Sequence, residues 1–217
     1  ELFYYLMIAE NQKSTCAIFT NKHNEKKLAY YPCPKNANTS AKLFFVKHLG
    51  VENKFKFIGD KIPSFKQTKK DLDGKNNLVN FLPNYQPFFK IYIDIKCCFI
   101  RNPFERFVST YRNRIIYHND VQFRKHSIDM VLDKLENELF ENKHFLPQNF
   151  FLGDNLEYYT FYTDVNNTKI FEDKVNEFFG KKIKFPKLQT GGKEIKIKLN
   201  NAQLDRISKI YAKDFKL

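Results

Sequence analysis

Two stretches of this 217-residue chain carry cations and hydroxyls in an arrangement suited to holding an anion. The first is "PCPKNANTS" (32–40), in which Lys35 is followed by Asn36, Ala37, Asn38, Thr39 and Ser40. The second is "IRNPFERFVSTYRN" (100–113), where Arg101 follows an apolar run, Ser109 comes eight residues later and Arg112 one helical turn beyond it. A cation at a strand-to-helix turn lies beside the free N–H groups that open the helix, and the two together cradle phosphate-like groups. Ser109 is about two turns from Arg101, so both reach one anion only if the loop folds back over the helix. Neither stretch is a Walker A loop, which needs G-x-x-x-x-G-K-[ST], because the first glycine of the chain is Gly50. The dinucleotide fingerprint is absent for the same reason. Against these readings stand plainer ones: a solvated lysine at 35, a helix-start arginine at 101, and a serine bonded within its own helix at 109. Arg106, beside Glu105, reads as structural through a salt bridge or packing, and Arg112 as either an anion contact or a surface residue.

Cradles of this kind need strands that end on them. "KLAYYPCP" (27–34) is β-rich and bounded by prolines, and "TSAKLFFVKHLG" (39–50) predicts a helix grouping Leu43, Phe44 and Val46 and stopped by Gly50. "IYIDIKCCFI" (91–100) is the clearest strand pattern in the chain. "PFERFVSTYRNRIIY" (103–117) follows as a helix opened by Pro103, with Phe104, Phe107, Val108, Tyr111 and Ile115 on one face. Further strands are expected at "KFKFIGD" (54–60) and "YYTFYT" (158–163), and residues 61–90 read as loop or short helices. Helices are expected at 127–140, with Ser127 as N-cap and Ile128, Val131, Leu132, Leu135 and Leu139 inward, at 168–180 closed by Gly180, and at 201–215. Strands alternating with helices imply an α/β fold: a single domain over 1–217, its central, mostly parallel sheet flanked by helices on both faces. Residues 1–26 form an N-terminal extension or the first elements.

A chain with 42% hydrophobic and 17% aromatic residues is not intrinsically disordered. No apolar run approaches the ~20 residues of a membrane span. "LFYYLMIA" (2–9) reads as a first strand or helix, or as what is left of a removed anchor or signal. The net charge of +13 attracts nucleic acid, anionic glycans, membranes and polyanionic cofactors alike. Cys16, Cys33, Cys97 and Cys98 form no C-x-x-C pair, so no metal site is expected, and Cys97 and Cys98 read as buried thiols of a strand. Asn38-Thr39-Ser40 is a glycosylation sequon inside the first cradle. A glycan there would block the loop, so a functional loop implies a cytoplasmic protein; the alternative is the Golgi lumen, with an N-terminal anchor trimmed away.

The two motifs together resemble those of sulfotransferases that use 3′-phosphoadenosine 5′-phosphosulfate (PAPS), and most closely the carbohydrate branch, sulfotransferase family 2. "PKNANTS" (34–40) is similar to that branch's P-K-x-x-x-T-S, and "RNPFERFVSTYR" (101–112) to its R-[DN]-P-x-x-R-x-x-S-x-[YF]-R. "HFLPQ" (144–148) resembles its H-x-x-P-Q segment, and the likeness extends over about residues 27–215. The resemblance implies a P-loop-like phosphate cradle in which residues 35–40 hold the 5′-phosphosulfate and Arg101 with Ser109 the 3′-phosphate. It also implies that Lys35 neutralises the leaving phosphate, and that the loop "TGGKEIK" (190–196), with Gly192 and Lys193, closes over the cofactor. The expected reaction moves the sulfuryl group from PAPS to a hydroxyl, with a saccharide as the expected acceptor and PAP as the product. The leaving phosphate ester is a weak base, so no metal is required.

The acceptor hydroxyl needs a general base. Some relatives carry a histidine just upstream of the second motif, whereas residues 61–100 here contain none. His144 in "HFLPQ" is the first candidate, as base or as an orienting group; His118 is the second, Asp60 a carboxylate alternative, and the choice stays open. His48 and His126 read as structural or exposed. Two other functions fit parts of the sequence. One is a non-catalytic binder of anionic glycan or nucleic acid, although no RRM, KH or helix-turn-helix signature appears. The other is a kinase with a non-standard phosphate loop.

Overall fold

The structure, a computed structural model, describes residues 15–21, 23–50, 92–140, 142–188 and 195–217, and the backbone of 79–83. Its strands are β1 (Thr15–Thr20), β2 (Lys27–Tyr31), β3 (Val79–Pro83), β4 (Ile95–Ile100) and β5 (Phe161–Asp164). Its α-helices are α1 (Asn38–Leu49), α2 (Pro103–Tyr111), α3 (Ile128–Glu136), α4 (Gln148–Leu152), α5 (Lys169–Phe179) and α6 (Asn201–Ile210). The strands form one sheet in the order β3-β1-β2-β4-β5. β2, β4 and β5 pair in parallel, and β1 runs antiparallel to both β2 and β3, so four of the five strands point the same way.

Both faces of this sheet are covered. Along β1 and β2, Cys16, Ile18, Ala29 and Tyr31 face one core, and Ala17, Phe19, Leu28 and Tyr30 face the other, as a period of two demands. The first core is closed by Phe107 and Tyr111 of α2, Val131, Leu132 and Leu135 of α3, Phe151 and Leu152 of α4, and Ile207 of α6. The second is filled by aromatic rings from α1 and α5. Phe45 stacks on Phe19 at 4.1 Å between centroids, and Phe171 lies 4.3 Å from Phe99. Sheets buried on both faces read as continuous apolar runs, which is why β2 and β4 stand out in the sequence.

Several elements differ from the sequence reading. β1 lies within 1–26, where the sequence implies an N-terminal extension or first elements, and β3 overturns the loop-or-helix reading of its part of 61–90: Val79–Pro83 pair with Thr15–Phe19. Pro83 is tolerated there because β3 is an edge strand and proline lacks an N–H to donate. The helix expected to reach 140 ends at Glu136, and Leu139 is 40% exposed. In "YYTFYT" only Phe161 onward is strand, Leu156–Tyr158 being a 3-10 turn. The helix expected at 103–117 changes to a π-helical turn at Arg112–Tyr117, and the last helix stops at Ile210 before a 3-10 turn at Asp214–Lys216. "LFYYLMIA" and "KFKFIGD" lie outside the described residues.

The parallel register places the two junctions side by side. Tyr30 is opposite Cys97 and Tyr31 opposite Cys98, so β2 and β4 end at the same edge of the sheet and each feeds a helix there. Ligands collect at this edge in open α/β sheets.

Candidate active site

The turn after β2 achieves without glycine a shape that usually requires it. Lys35 and Ala37 both adopt left-handed backbone conformations, with φ of 68° and 52°. Each costs a non-glycine residue on the order of 1 kcal/mol or more, so the surroundings must enforce it. Arginines of the second motif do so from outside. Arg106 Nε donates to the Pro34 carbonyl at 3.1 Å and Arg101 Nη1 to the Lys35 carbonyl at 3.1 Å. Asn36 does so from inside: it is fully buried, and its Nδ2 donates to the Phe99 carbonyl at 2.8 Å and to Gln148 Oε1 at 2.6 Å. α1 then begins at Asn38 with no side-chain cap and no acidic residue in its first turn. Its opening N–H groups are therefore left for an anion.

Gln148 joins the two junctions. Its Oε1 accepts from Asn36 and from the Arg101 N–H at 2.9 Å, while its Nε2 donates to the Arg101 carbonyl at 2.8 Å. One buried amide thus pairs both backbone groups of Arg101 and pins the turn at Asn36. Asp214 holds Gln148 in turn, its two oxygens accepting the Gln148 N–H at 2.7 Å and the Asn149 N–H at 2.9 Å. That caps α4 from a 3-10 turn 66 positions away in the chain.

Positive charges outnumber negative ones at this edge. The Lys35 ammonium is pushed down to about 7, first by burial and then by Arg101, Arg114, Arg106 and Arg112. Of these, Arg101 has Glu105 at 3.5 Å and Arg114 is paired with Asp120 at 2.7 Å. A buried lysine crowded by arginines is unfavourable alone, and an anion relieves that cost. His144 shares the same field. Burial first, then Arg114, Lys35, Lys143 and Arg106, hold its imidazole down at about 3. Its Nδ1 lies 2.7 Å from Asn142 Oδ1, and its carbonyl accepts from Thr110 Oγ1 at 3.2 Å.

Lys35, Arg101 and His144 therefore meet around one turn, although they lie on three separate stretches of chain. Ala37, Asn38, Thr39 and Ser40 line the start of α1, and Ser40 Oγ accepts from the Leu188 N–H at 3.3 Å. Asn36, expected beside a ligand, instead turns inward to hold the loop. Arg106 is structural, but its partners are the carbonyls of Pro34 and His144, and Glu105 pairs with Arg101 instead. Ser109 is partly buried on α2, and its side chain makes no hydrogen bond with Arg101 or any other described residue. Arg112 opens the π-helical turn. His118 is exposed at the end of that turn, edge-on to Tyr117 at 4.9 Å. His48, by contrast, is buried between Phe44 and Phe179, at 4.6 and 4.7 Å between ring centroids. Asp60, Gly192 and Lys193 lie outside the described residues. All four cysteines are buried free thiols. Sequence reasoning missed Gln148 and Asn142. The "PQ" of "HFLPQ" was the one available signal for the first, and nothing local marked the second.

No curated protein and no solved structure matches this chain. Residues 18–217, nearly the whole length, match the sulfotransferase family. With its mostly parallel sheet and paired strand-to-helix junctions, the chain belongs to the sulfotransferase family.

Proposed function

We propose that this sulfotransferase moves the sulfuryl group of PAPS to an acceptor hydroxyl, and that the acceptor is a saccharide. The observation that carries the donor assignment is the convergence of Lys35 with Arg101, Arg106, Arg112 and Arg114 beside the uncapped start of α1. Five cations, of which Glu105 and Asp120 offset two, suit a ligand with two phosphate ends better than one with a single anion. The choice of a saccharide rests on the likeness of both motifs to the carbohydrate branch. In this reading the N–H groups of residues 38–40 and the Lys35 ammonium hold the 5′ end, and Arg101 with Ser109 the 3′-phosphate. The phosphates of bound PAPS offset the cations that hold the His144 imidazole down, and its Nε2 then removes the acceptor's proton as the acceptor oxygen bonds to sulfur. The bond from sulfur to the bridging oxygen breaks, and that electron pair leaves on the phosphate. Lys35 stabilises the charge that grows there, which is the transition-state interaction on which a loose, in-line transfer depends. Gly192 and Lys193 complete the cofactor site, and a cytoplasmic location follows from the sequon within the loop.

The test is calorimetry with PAP at moderate salt, followed by transfer from labelled PAPS to a panel of saccharides. Binding at one site is expected. A folded protein that binds no PAP would overturn the donor assignment, and transfer only to amines or peptides would overturn the acceptor class.

A further inference from the structure

A neutral imidazole takes up a proton only at the ring nitrogen that carries the lone pair, so the tautomer decides where His144 can act. We infer that Asn142 and Asp120 are positioning residues that lock His144 with its proton on Nδ1 and its lone pair on Nε2. The inference rests on the proposed sulfuryl transfer only for its catalytic meaning; the lock itself is a matter of donors and acceptors.

The series of hydrogen bonds begins at Arg114. Its Nε and Nη2 grip the two oxygens of Asp120 at 2.7 Å each, as a guanidinium fork grips a carboxylate. An ionised carboxylate only accepts, so the Asn142 atom 2.8 Å from Asp120 Oδ2 must be the amide nitrogen, which donates. The amide oxygen then points the other way. There it accepts the His144 backbone N–H at 3.0 Å and lies 2.7 Å from His144 Nδ1. An amide oxygen cannot donate either, so Nδ1 carries the ring proton. A neutral imidazole has only one, which leaves the lone pair on Nε2. Every bond in the series has one consistent direction, set by a carboxylate two residues removed from the ring.

The rest of the surroundings keep the ring still and neutral. Asn142 is buried, and the His144 carbonyl is held by Thr110 Oγ1 and by Arg106 Nη2 at 3.4 Å. The charged groups that face the imidazole are Arg106 and Arg114 of the α2 segment, Lys35 of the first loop, and Lys143 of its own loop. The group on Nδ1 is an amide, not a carboxylate, so the ring is oriented without a direct negative partner to raise its basicity. That differs from a histidine–carboxylate pair, in which orientation and a raised basicity come together.

The test reads the ring directly. Protein labelled with ¹⁵N-histidine gives long-range ¹H–¹⁵N spectra that distinguish the two tautomers, and His144→Gln identifies the His144 signals among the five histidines. At pH 7.5 the Nδ1–H pattern is expected. Asn142→Ala should lose it for a mixture or the Nε2–H form, and Asp120→Leu should do the same by freeing the amide to turn over. Asp120→Asn should keep the pattern, because its amide oxygen can still accept from Asn142. The exchange Asp120→Asn with Asn142→Asp keeps one amide facing one carboxylate and sets the carboxylate on Nδ1, so it should keep Nδ1–H and move the ring's titration upward by about one pH unit or more. With labelled PAPS, Asn142→Ala should lower kcat about tenfold or more while leaving PAP affinity within about twofold. An Nε2–H pattern in the unaltered protein, or an unchanged tautomer in Asn142→Ala, would overturn the inference. If Asn142→Ala does not fold, the titration of the exchanged protein, Asp120→Asn with Asn142→Asp, decides, and no upward shift overturns the inference. Loss of PAP binding or transfer in the unaltered protein would count against the sulfotransfer reading alone, because the spectra stand without it.

Discussion

PAP binding should take up a proton, and Lys35 should be where it goes. In the free protein this lysine titrates at about 7, held there by burial and four arginines. At pH 8 only about one free molecule in ten would carry the ammonium. An anion at the turn favours the charged form and returns the group toward its ordinary value near ~10.4. Binding at pH 8 should then draw in about 0.9 proton through Lys35, about 0.5 at pH 7, and about 0.1 at pH 6. The same linkage makes PAP affinity fall by up to about tenfold per pH unit above pH 7. Calorimetry in several buffers of different ionisation enthalpy measures the proton count, as the slope of apparent enthalpy against buffer enthalpy. Lys35→Met is the control: it keeps the stem without a titrating group and corrects for the phosphates of PAP, which titrate near ~6. A difference close to one proton at pH 8 is expected between the two proteins. Equal proton counts would show that Lys35 is already charged when free and that the arginine crowding does not set its state.

Lys35→Ala should lower single-turnover kcat on the order of a hundred-fold or more while weakening PAP much less, because its charge matters most as the leaving phosphate forms. Arg101→Ala also loses the bond to the Lys35 carbonyl, so the informative quantity is a comparison of ligands: PAP should weaken about ten- to a hundred-fold more than adenosine 5′-phosphosulfate, which lacks the 3′ group. Equal weakening would remove the 3′-phosphate role. Gln148→Leu leaves Asn36 short of an acceptor and both backbone groups of Arg101 unpaired, so urea unfolding should show a loss on the order of 3 kcal/mol, and a loss under about 0.5 would mean the clamp is not needed. His48 titrates at about 4 in the fold, below its ordinary 6.5, so the unfolded chain binds the extra proton between these values. Its contribution to stability is full above pH 6.5 and is lost as pH falls toward 4. His48→Phe should flatten that part of the stability profile, with the remaining slope due to groups such as His144.

Much of the site was legible because it is local. A cation, a run of small polar residues and a helix start occupy "PKNANTS", and Pro103 with Phe107 and Tyr111 at helical spacing announces α2; such patterns depend on neighbours within a turn or two. β2 and β4 showed for the same reason, as apolar runs buried on both faces. β1 and β3 did not, because they are fixed by pairing with each other across 60 to 68 positions of chain and not by their own residues. The left-handed turn at Lys35 and Ala37 was equally hidden, since sequence reasoning expects glycine there and two arginines and an asparagine replace it. The Asn36–Gln148 bond spans 112 positions, and the path from Arg114 through Asp120 and Asn142 to His144 joins two loops. The residue types of the cradle and the order of its elements were determined by the sequence alone. Which carbonyl each arginine holds, and which nitrogen of His144 keeps a lone pair, were decided only when the fold brought distant donors and acceptors within hydrogen-bond reach, where an acceptor-only oxygen fixes which group donates.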